Sequence, residues 1–170
     1  KKVKKNLINN IEQFSSLGNI KLIEYPLTAI AYLEKIANKI GKYNGALLMF
    51  DYGYNKKNNN YTLQAVQDHK YVDIFHEPGN SDITHHINYK LFSEILKKNK
   101  LKVEKVIPQN EFLKKMGIIE RANLLSKKLS FSAKADIYYR LKKLLHYNEM
   151  GTLFKVLLAK KKGNKFSLGF

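Results

Sequence analysis

Five consecutive apolar residues, at positions 46–50, lie between two glycines and run directly into an acid. A short apolar run of this kind, preceded by a helical pattern, is typical of a strand buried on both faces in a parallel α/β sheet. Asp51 then lies at the carboxyl end of that strand. In open α/β sheets ligands bind at this edge, because the loops that leave the strands open a crevice there. The run therefore predicts an α/β fold and the position of its functional edge.

The size and composition of the chain narrow the fold and the compartment. The 170 residues correspond to one ordinary domain, so residues 1–170 are expected to share a single core. The absence of cysteine excludes a disulfide framework, thiolate zinc fingers and thiol catalysis. No apolar run approaches the roughly 20 residues of a membrane helix, and no signal peptide opens the chain. We expect a soluble, intracellular protein without a membrane span.

A net charge of +17 raises the possibility of nucleic-acid binding, because lysine and arginine neutralise phosphates. Arg121 and Arg140 are the only arginines, however. Arginine binds phosphates and base edges with better geometry than lysine does. The alternative is a solvated, lysine-rich surface, and the composition favours it. A basic nucleic-acid-binding domain stays open as a minor alternative.

Helical and strand patterns alternate along the chain. Apolar positions recur with a helical period between residues 27 and 40, after Pro26 and before Gly41. Asn88 precedes another helical pattern and can cap it. Further strands are predicted at residues 101–107 and 153–159, and the basic residues 160–165 are expected to form a surface hairpin or a frayed end.

Short motifs follow one another along the chain and together carry a resemblance. They are Gly45-Ala-Leu-Leu-Met-Phe-Asp51-Tyr-Gly53, Thr62-Leu63, Asp68-His69, Glu77-Pro-Gly79, Asp82-Ile-Thr84-His-His86-Ile-Asn88-Tyr89, Gln109-Asn-Glu-Phe112-Leu113 with Gly117, and Met150-Gly151 before Phe154-Lys-Val-Leu157. In this order they resemble the carboxyl-terminal half of the MidA-type S-adenosylmethionine-dependent methyltransferases, the family of a mitochondrial complex I assembly factor that dimethylates arginine. The resemblance runs from about Glu24 to Ala159.

The resemblance implies an α/β fold: the carboxyl-terminal portion of a class I, Rossmann-like, seven-stranded methyltransferase sheet with added helices. Residues 46–50 are similar to its fifth strand, and the strands at Leu101 and Leu153 are similar to its last two. The glycine-rich turn that cradles the cofactor and the acid that holds its ribose have no candidate here, so the cofactor-binding residues are unknown. The domain is therefore expected to be incomplete at its N-terminus, with S-adenosyl-L-methionine held mainly outside this chain, which alone would be inactive.

Position and the resemblance together suggest the site residues. In methyl transfer the protein mainly positions the nucleophile and excludes water, so carboxylates that orient an arginine guanidinium matter more than a strong base. The suggested catalytic residues are Asp82, His86 and His69, and the suggested substrate-binding residues are Asp51, Tyr52, Gly53, Thr84 and Glu77. A metal site at His76, His85 and His86 is not predicted, because adjacent histidines cannot easily face one ion and this chemistry needs none.

Several of these residues also have a structural interpretation. Asp51 either lines the substrate crevice or caps the following turn. His69 acts near the transferred methyl group or is a packed surface residue on a half-polar helix. Asp82, Thr84 and His86 form one hydrogen-bonded cluster that shapes the acceptor pocket, or the first two only hold their own loop.

One departure lies inside the matching region. The family usually carries an acid and a phenylalanine where this chain has Asn88 and Tyr89. Asparagine still caps a helix, so the helix start survives, whereas any role that needs a carboxylate there does not.

The implied partner is a protein with an arginine acceptor, with a complex I subunit as the named possibility. The implied compartment is the cytoplasm of a bacterium or the mitochondrial matrix of a eukaryote. The alternatives are a non-catalytic remnant that serves as an interaction module and the nucleic-acid-binding domain already mentioned.

Overall fold

The computed structural model describes residues 5–170, and within them a five-stranded sheet and a three-stranded sheet are flanked by helices. The helices are α1 (Lys5–Glu12), α2 (Leu27–Tyr43), α3 (Tyr89–Lys98), α4 (Gln109–Lys115), α5 (Ile118–Ser126), α6 (Phe131–Leu145) and α7 (Met150–Leu153), with a 3₁₀ helix at Ser15–Leu17. The strands are β1 (Ala46–Tyr54), β2 (Gln64–Gln67), β3 (Lys70–Val72), β4 (Asp82–Thr84), β5 (Ile87–Asn88), β6 (Leu101–Val103), β7 (Ile107–Pro108) and β8 (Phe154–Lys161).

The larger sheet has the order β5-β1-β8-β6, and β7 pairs with the same edge of β8 as β6. β8 runs antiparallel to β1, from Ala46 opposite Lys160 to Tyr52 opposite Phe154. β5 pairs parallel to β1 at Gly53 and Tyr54. The three strands expected to resemble the fifth and the last two of the methyltransferase sheet are therefore neighbours, with the last of them in the middle.

Two apolar clusters cover the faces of this sheet. The larger one packs α2 and α3 against Leu157 and Ala159 of β8. The smaller one gathers Ile107, Phe112 and Val156 on the opposite face. Because successive side chains of a strand point to opposite faces, Val156 of β8 enters one cluster and Leu157 and Ala159 enter the other.

The prediction that residues 46–50 are buried on both faces is wrong for this chain. Leu47 and Met49 pack against the larger cluster, but Leu48 and Phe50 are 43% and 40% exposed. The strand also continues to Tyr54, so Asp51 lies within it rather than at its end. Within residues 5–170, the outer edge of β1 is unpaired from 46 to 52, since β5 joins it only at Gly53.

The expectation of a surface hairpin or frayed end from residue 160 is wrong at its start. Lys160 belongs to β8 and is 2% exposed. Its Nζ lies 2.9 Å from the Glu104 carboxylate and also donates to the Phe166 carbonyl. A lysine is tolerated at this depth because an acid compensates its charge.

Local signals placed the helix starts correctly. α2 begins directly after Pro26 and ends at Tyr43, where Asn44 takes the left-handed conformation (φ 56°) in place of the predicted stop at Gly41. The Leu91 N–H donates to the Asn88 side chain at 3.1 Å, which confirms the predicted cap of α3.

Candidate functional site

The carboxyl half of β1 holds Asp51 in a defined position. Its half-buried carboxylate accepts a hydrogen bond from the Tyr52 N–H at 2.8 Å. Its backbone carbonyl accepts from the Tyr89 hydroxyl at 3.0 Å. Burial, together with the Asp51 charge, raises the pKa of Tyr89, so that its hydroxyl remains a protonated donor. The carboxylate thus satisfies the N–H of the next residue and keeps lone pairs that can accept further hydrogen bonds.

Tyr52 and His86 come together at the end of β1. Their rings meet edge to face with centroids 5.5 Å apart, and Tyr52 makes a similar contact with Phe154 at 5.6 Å. Gly53 allows this arrangement, because a Cβ there would lie 2.3 Å from the Ile87 carbonyl oxygen. The glycine therefore lets β5 approach β1 and carries His86, which directly precedes β5, to the strand end.

A carboxylate that the motifs did not single out joins the same region. Glu24, two residues ahead of Pro26, accepts hydrogen bonds from the Thr62 N–H at 2.8 Å and the Leu63 N–H at 3.1 Å, and also from the Thr62 hydroxyl. Thr62 Oγ1 in turn accepts from the His86 N–H at 3.1 Å. Glu24 thus fastens the segment before α2 to the loop before β2, and Thr62 connects that loop to the one that carries His86. Its only sequence signal was its place ahead of the α2 N-terminus.

The smaller sheet carries the other predicted residues, and it replaces the half-polar helix expected around His69. Asp68 and His69 have φ values of 49° and 62°, so they form the left-handed two-residue turn of the β2–β3 hairpin. His69 is therefore exposed at a hairpin tip. The helical prediction failed because strand pairing in this sheet, with Ala65 buried between β3 and β4, outweighs a weak local pattern.

Asp82, Thr84 and Glu77 are arranged around β2. Asp82 is exposed and lies opposite Val66, and the Gln64 side chain donates to Thr84 Oγ1 at 3.2 Å. The hydrogen bonds of Thr84 and His86 thus go to Gln64 and Thr62, not to each other. Glu77 accepts from Gln67 Nε2 at 2.9 Å, and hydrogen bonds from Gln67 and Asn80 lower the pKa of the Glu77 carboxyl.

The eight predicted site residues therefore fall into two groups. Asp51, Tyr52 and Gly53 lie in the carboxyl half of β1, where the His86 ring contacts Tyr52. The other four, Asp82, Thr84, Glu77 and His69, lie on or beside the smaller sheet, which Thr62 and Glu24 connect to the first group.

Two adjoining cavities lie in this region. One, of about 200 Å³, is lined by Glu24, Tyr25, Pro26, Tyr61, Leu63 and His85. The other, of about 460 Å³, is lined by Tyr54, Asn58, Asn60, Tyr61, Thr62, Leu63, Gln64 and His86. They share the Tyr61 and Leu63 side of the loop that Glu24 holds. Burial, and then the Glu24 charge, raise the pKa of Tyr54 beside the second cavity.

Gly53, the glycine of β1, does not belong to a cradle for a nucleotide-type cofactor. Such a cradle needs a glycine-rich turn between a strand and a helix N-terminus, with space where a Cβ would be. At Gly53 that space is taken by the Ile87 backbone. Residues 5–170 include no group of three His, Asp or Glu side chains arranged as metal ligands, and no helix long and apolar enough to cross a membrane.

Comparison with solved structures shows which known proteins share this fold. Two crystal structures of proteins from Burkholderia thailandensis superpose with TM-scores of 0.76 and 0.75, each covering 93% of this chain at 23% identity. The second of them was solved with S-adenosyl-homocysteine bound. The chain covers 44% and 43% of those two proteins. The chain thus shares the fold of a portion of each of these two larger proteins.

Comparison of sequences identifies the family. The chain is 30% identical over 134 residues to the mitochondrial protein arginine methyltransferase NDUFAF7 of Xenopus tropicalis, and it is 29% identical over 93 residues to the Caenorhabditis elegans homologue. It spans 31% of the length of the first and 22% of the second. The family model described as "Putative S-adenosyl-L-methionine-dependent methyltransferase" matches residues 1–107. The chain therefore belongs to this methyltransferase family.

Proposed function

We propose that this chain is the acceptor-side half of an S-adenosylmethionine-dependent methyltransferase that modifies arginine in a protein substrate. The observation that carries the proposal is the outer edge of β1. It is apolar over residues 46–50 and unpaired over residues 46–52 within the described chain, whereas the inner edge is paired along the same length. Solved neighbours of about twice this length support completion of the sheet at this edge. Residues 1–170 would then belong to a single domain that is incomplete at its N-terminus, and the other half of the enzyme would complete it.

The cofactor would be held by that other half and would supply the methyl group. On the acceptor side, the residues of this chain bind and orient the guanidinium, exclude water and take up the proton that a guanidinium nitrogen releases when it is methylated. Asp51, Tyr52 and Gly53 form the part of β1 that faces the acceptor. His86 takes up the proton, a role supported by the contact of its ring with Tyr52.

The second group of residues would act from the smaller sheet. Asp82 and Glu77 supply carboxylates that attract a cationic substrate, and Thr84 holds the strand that presents Asp82. His69 at the hairpin tip would reach the site only if the hairpin closes over the substrate. A short hairpin tip with exposed side chains is the kind of element that makes such a movement.

The names of the relatives support a proposal for the partner and the compartment. The Xenopus relative is named as a mitochondrial protein arginine methyltransferase, which supports a protein substrate with an arginine acceptor. A respiratory complex I subunit is the substrate we propose. The corresponding compartment is the mitochondrial matrix, or the cytoplasm if the source is bacterial.

The test compares the 170-residue chain with the complete enzyme that contains or binds it. We expect calorimetry to show S-adenosyl-homocysteine binding by the complete enzyme and none by the chain alone. Radiolabelled methyl groups should appear on arginine of the protein substrate only with the complete enzyme. A complete enzyme that neither binds the compound nor transfers methyl groups would refute the proposal.

Substitution of Asp82 tests the site assignment within this function. We expect Asp82→Ala in the complete enzyme to lower kcat/KM for the protein substrate by about tenfold or more, through loss of an orienting charge. Asp136→Ala is the matched control, because Asp136 is an exposed acid on α6. Equal activity of Asp82→Ala and the control would remove Asp82 from the site.

A further inference from the structure

Glu24 is a carboxylate without a cationic partner inside a strongly basic chain. Within residues 5–170 the ion pairs use the acids Glu104, Glu111 and Asp136. Glu24 instead accepts three hydrogen bonds from neutral donors, two on Oε1 and one on Oε2. A carboxylate has about four lone-pair sites, so one remains on Oε2. Its negative charge is therefore fixed in place and not neutralised.

The cavity beside Glu24 is small and mostly apolar. Its walls are Tyr25, Pro26, Tyr61 and Leu63, with His85 at one side, and its volume is about 200 Å³. Sites for drug-sized ligands occupy about 300–1,000 Å³, so this one fits a single side chain rather than a nucleoside. One fixed carboxylate among apolar and aromatic walls selects for a cation with an apolar stem.

We propose that the Glu24 pocket binds the side chain of the methyl-acceptor arginine, an assignment that rests on the proposed function. The guanidinium meets the free lone pair of Glu24, and its planar face lies against the Tyr25 or Tyr61 ring. The propyl stem contacts Leu63 and Pro26. A lysine side chain, as a strongly hydrated point charge, fits the stacked position less well.

The hydrogen-bond network places this pocket next to the proposed reaction edge. Thr62 donates to Glu24 and accepts from the His86 N–H, and the His86 ring contacts Tyr52 at the end of β1. Tyr61 and Leu63 separate the pocket from the cavity that His86 lines. Only the loop that contains Tyr61 and Leu63 thus separates a guanidinium held by Glu24 from His86, the histidine that we assign to proton uptake.

Binding to the 170-residue chain is measured first, with N-acetyl-arginine methylamide as the probe and amide NMR shifts as the readout. We expect shifts at Tyr61, Leu63 and His85, weaker ones with the lysine analogue, and none with the neutral citrulline analogue. Glu24→Gln should weaken arginine binding about tenfold or more, as expected for loss of a hydrogen bond to a charged group. Glu120→Gln, on an exposed acid of α5, should leave it unchanged.

A second variant covers the case in which Glu24→Gln disturbs the loop. Tyr61 is 59% exposed, so Tyr61→Ala should keep the fold and still weaken arginine binding. Unchanged arginine affinity in both variants, or shifts that map elsewhere, would overturn the proposal.

Kinetics of the complete enzyme separate this inference from the proposed function. If methylation occurs and Glu24→Gln raises KM for an arginine peptide far more than it lowers kcat, both stand. If methylation occurs with an unchanged KM, the pocket assignment is wrong and the function stands. If the chain binds arginine through Glu24 but the complete enzyme transfers no methyl group, the proposed function fails and the pocket remains as an arginine-binding site.

Discussion

β1 and β8 are adjacent apolar strands with opposite surroundings. Residues 156–159 of β8 are fully buried, with β1 on one edge and β6 and β7 on the other. β1 has a partner along only one edge between residues 46 and 52, and Leu48 and Phe50 remain accessible. The difference shows that two similar apolar runs reach different burial when one strand has neighbours on both edges and the other has a neighbour on only one.

An accessible apolar edge is unusual in a finished protein. Natural sheets protect their edges with charges, prolines, bulges or covering elements, because an open edge invites pairing with other chains. Residues 46–50 include no charge and no proline. The edge therefore has the character of an internal strand, which supports completion by another half.

The largest expected effect compares one leucine from each strand. Leu48 and Leu158 are register partners, and they are 43% and 0% exposed. Leu158→Ala should lower the free energy of unfolding by about 3 kcal/mol, because it leaves a cavity in a packed interior. Leu48→Ala should cost below about 1 kcal/mol, since its side chain is half in water. Urea unfolding of the two variants measures both, and equal losses would contradict the difference in burial.

The next largest effect concerns Lys160, the buried charged residue of β8. Glu104→Gln leaves the Lys160 ammonium without its acid, so we expect a loss of about 2 kcal/mol in the free energy of unfolding. Glu111→Gln removes an exposed pair with Lys115 and should cost about 0.5 kcal/mol. A loss no larger than that of the Glu111 control would show that the β8 ion pair is merely a surface contact.

A smaller effect is expected at β5, on the β1 side of the sheet. Asn88→Ala removes the cap of α3 and should cost about 1 kcal/mol. Asn88→Asp keeps an acceptor for the Leu91 N–H and restores the acid usual in the resembled family. It should therefore be stable to within about 0.5 kcal/mol of the parent. Thermal unfolding compares the two, and a more damaging aspartate would contradict the capping role.

The smallest effect is a pH dependence on the β8 side. Hydrogen bonds from Lys102 and Lys160 lower the pKa of Glu104 below the 4.5 of a free glutamate. A lowered pKa in the folded state means that the stabilisation is complete above about pH 4.5 and is lost as pH falls through the folded value. The parent should thus lose more stability than Glu104→Gln in that acid range. Parallel stability curves for the two proteins would exclude this linkage.

Local features of the sequence predicted much of the fold. Pro26, the Asn88 cap and the apolar runs mark the starts of α2 and α3 and the positions of β1 and β8. These signals act within a few residues, so one chain is enough to interpret them. The turn at Asp68 and His69 was missed because neither residue is a glycine, although both adopt positive φ.

The site was harder to predict, because its contacts join residues that are far apart in the sequence. Glu24 and Thr62 are 38 residues apart, and no spacing rule connects them. The burial of Lys160 depends on Glu104, which lies in the segment between β6 and β7. The exposure of Leu48 and Phe50 goes with the outer edge of β1, which is unpaired there within residues 5–170, and that pairing is set outside the apolar run itself.

Hydrogen exchange along β1 tests the completed sheet most directly. In the 170-residue chain, alternate amides of residues 46–52 face the unpaired edge and should exchange rapidly, while the amides of β8 stay protected. In the complete enzyme the same β1 amides should become protected, because a neighbouring strand accepts their hydrogen bonds. Rapid exchange of these amides in the complete enzyme, equal to that in the chain alone, would contradict the account.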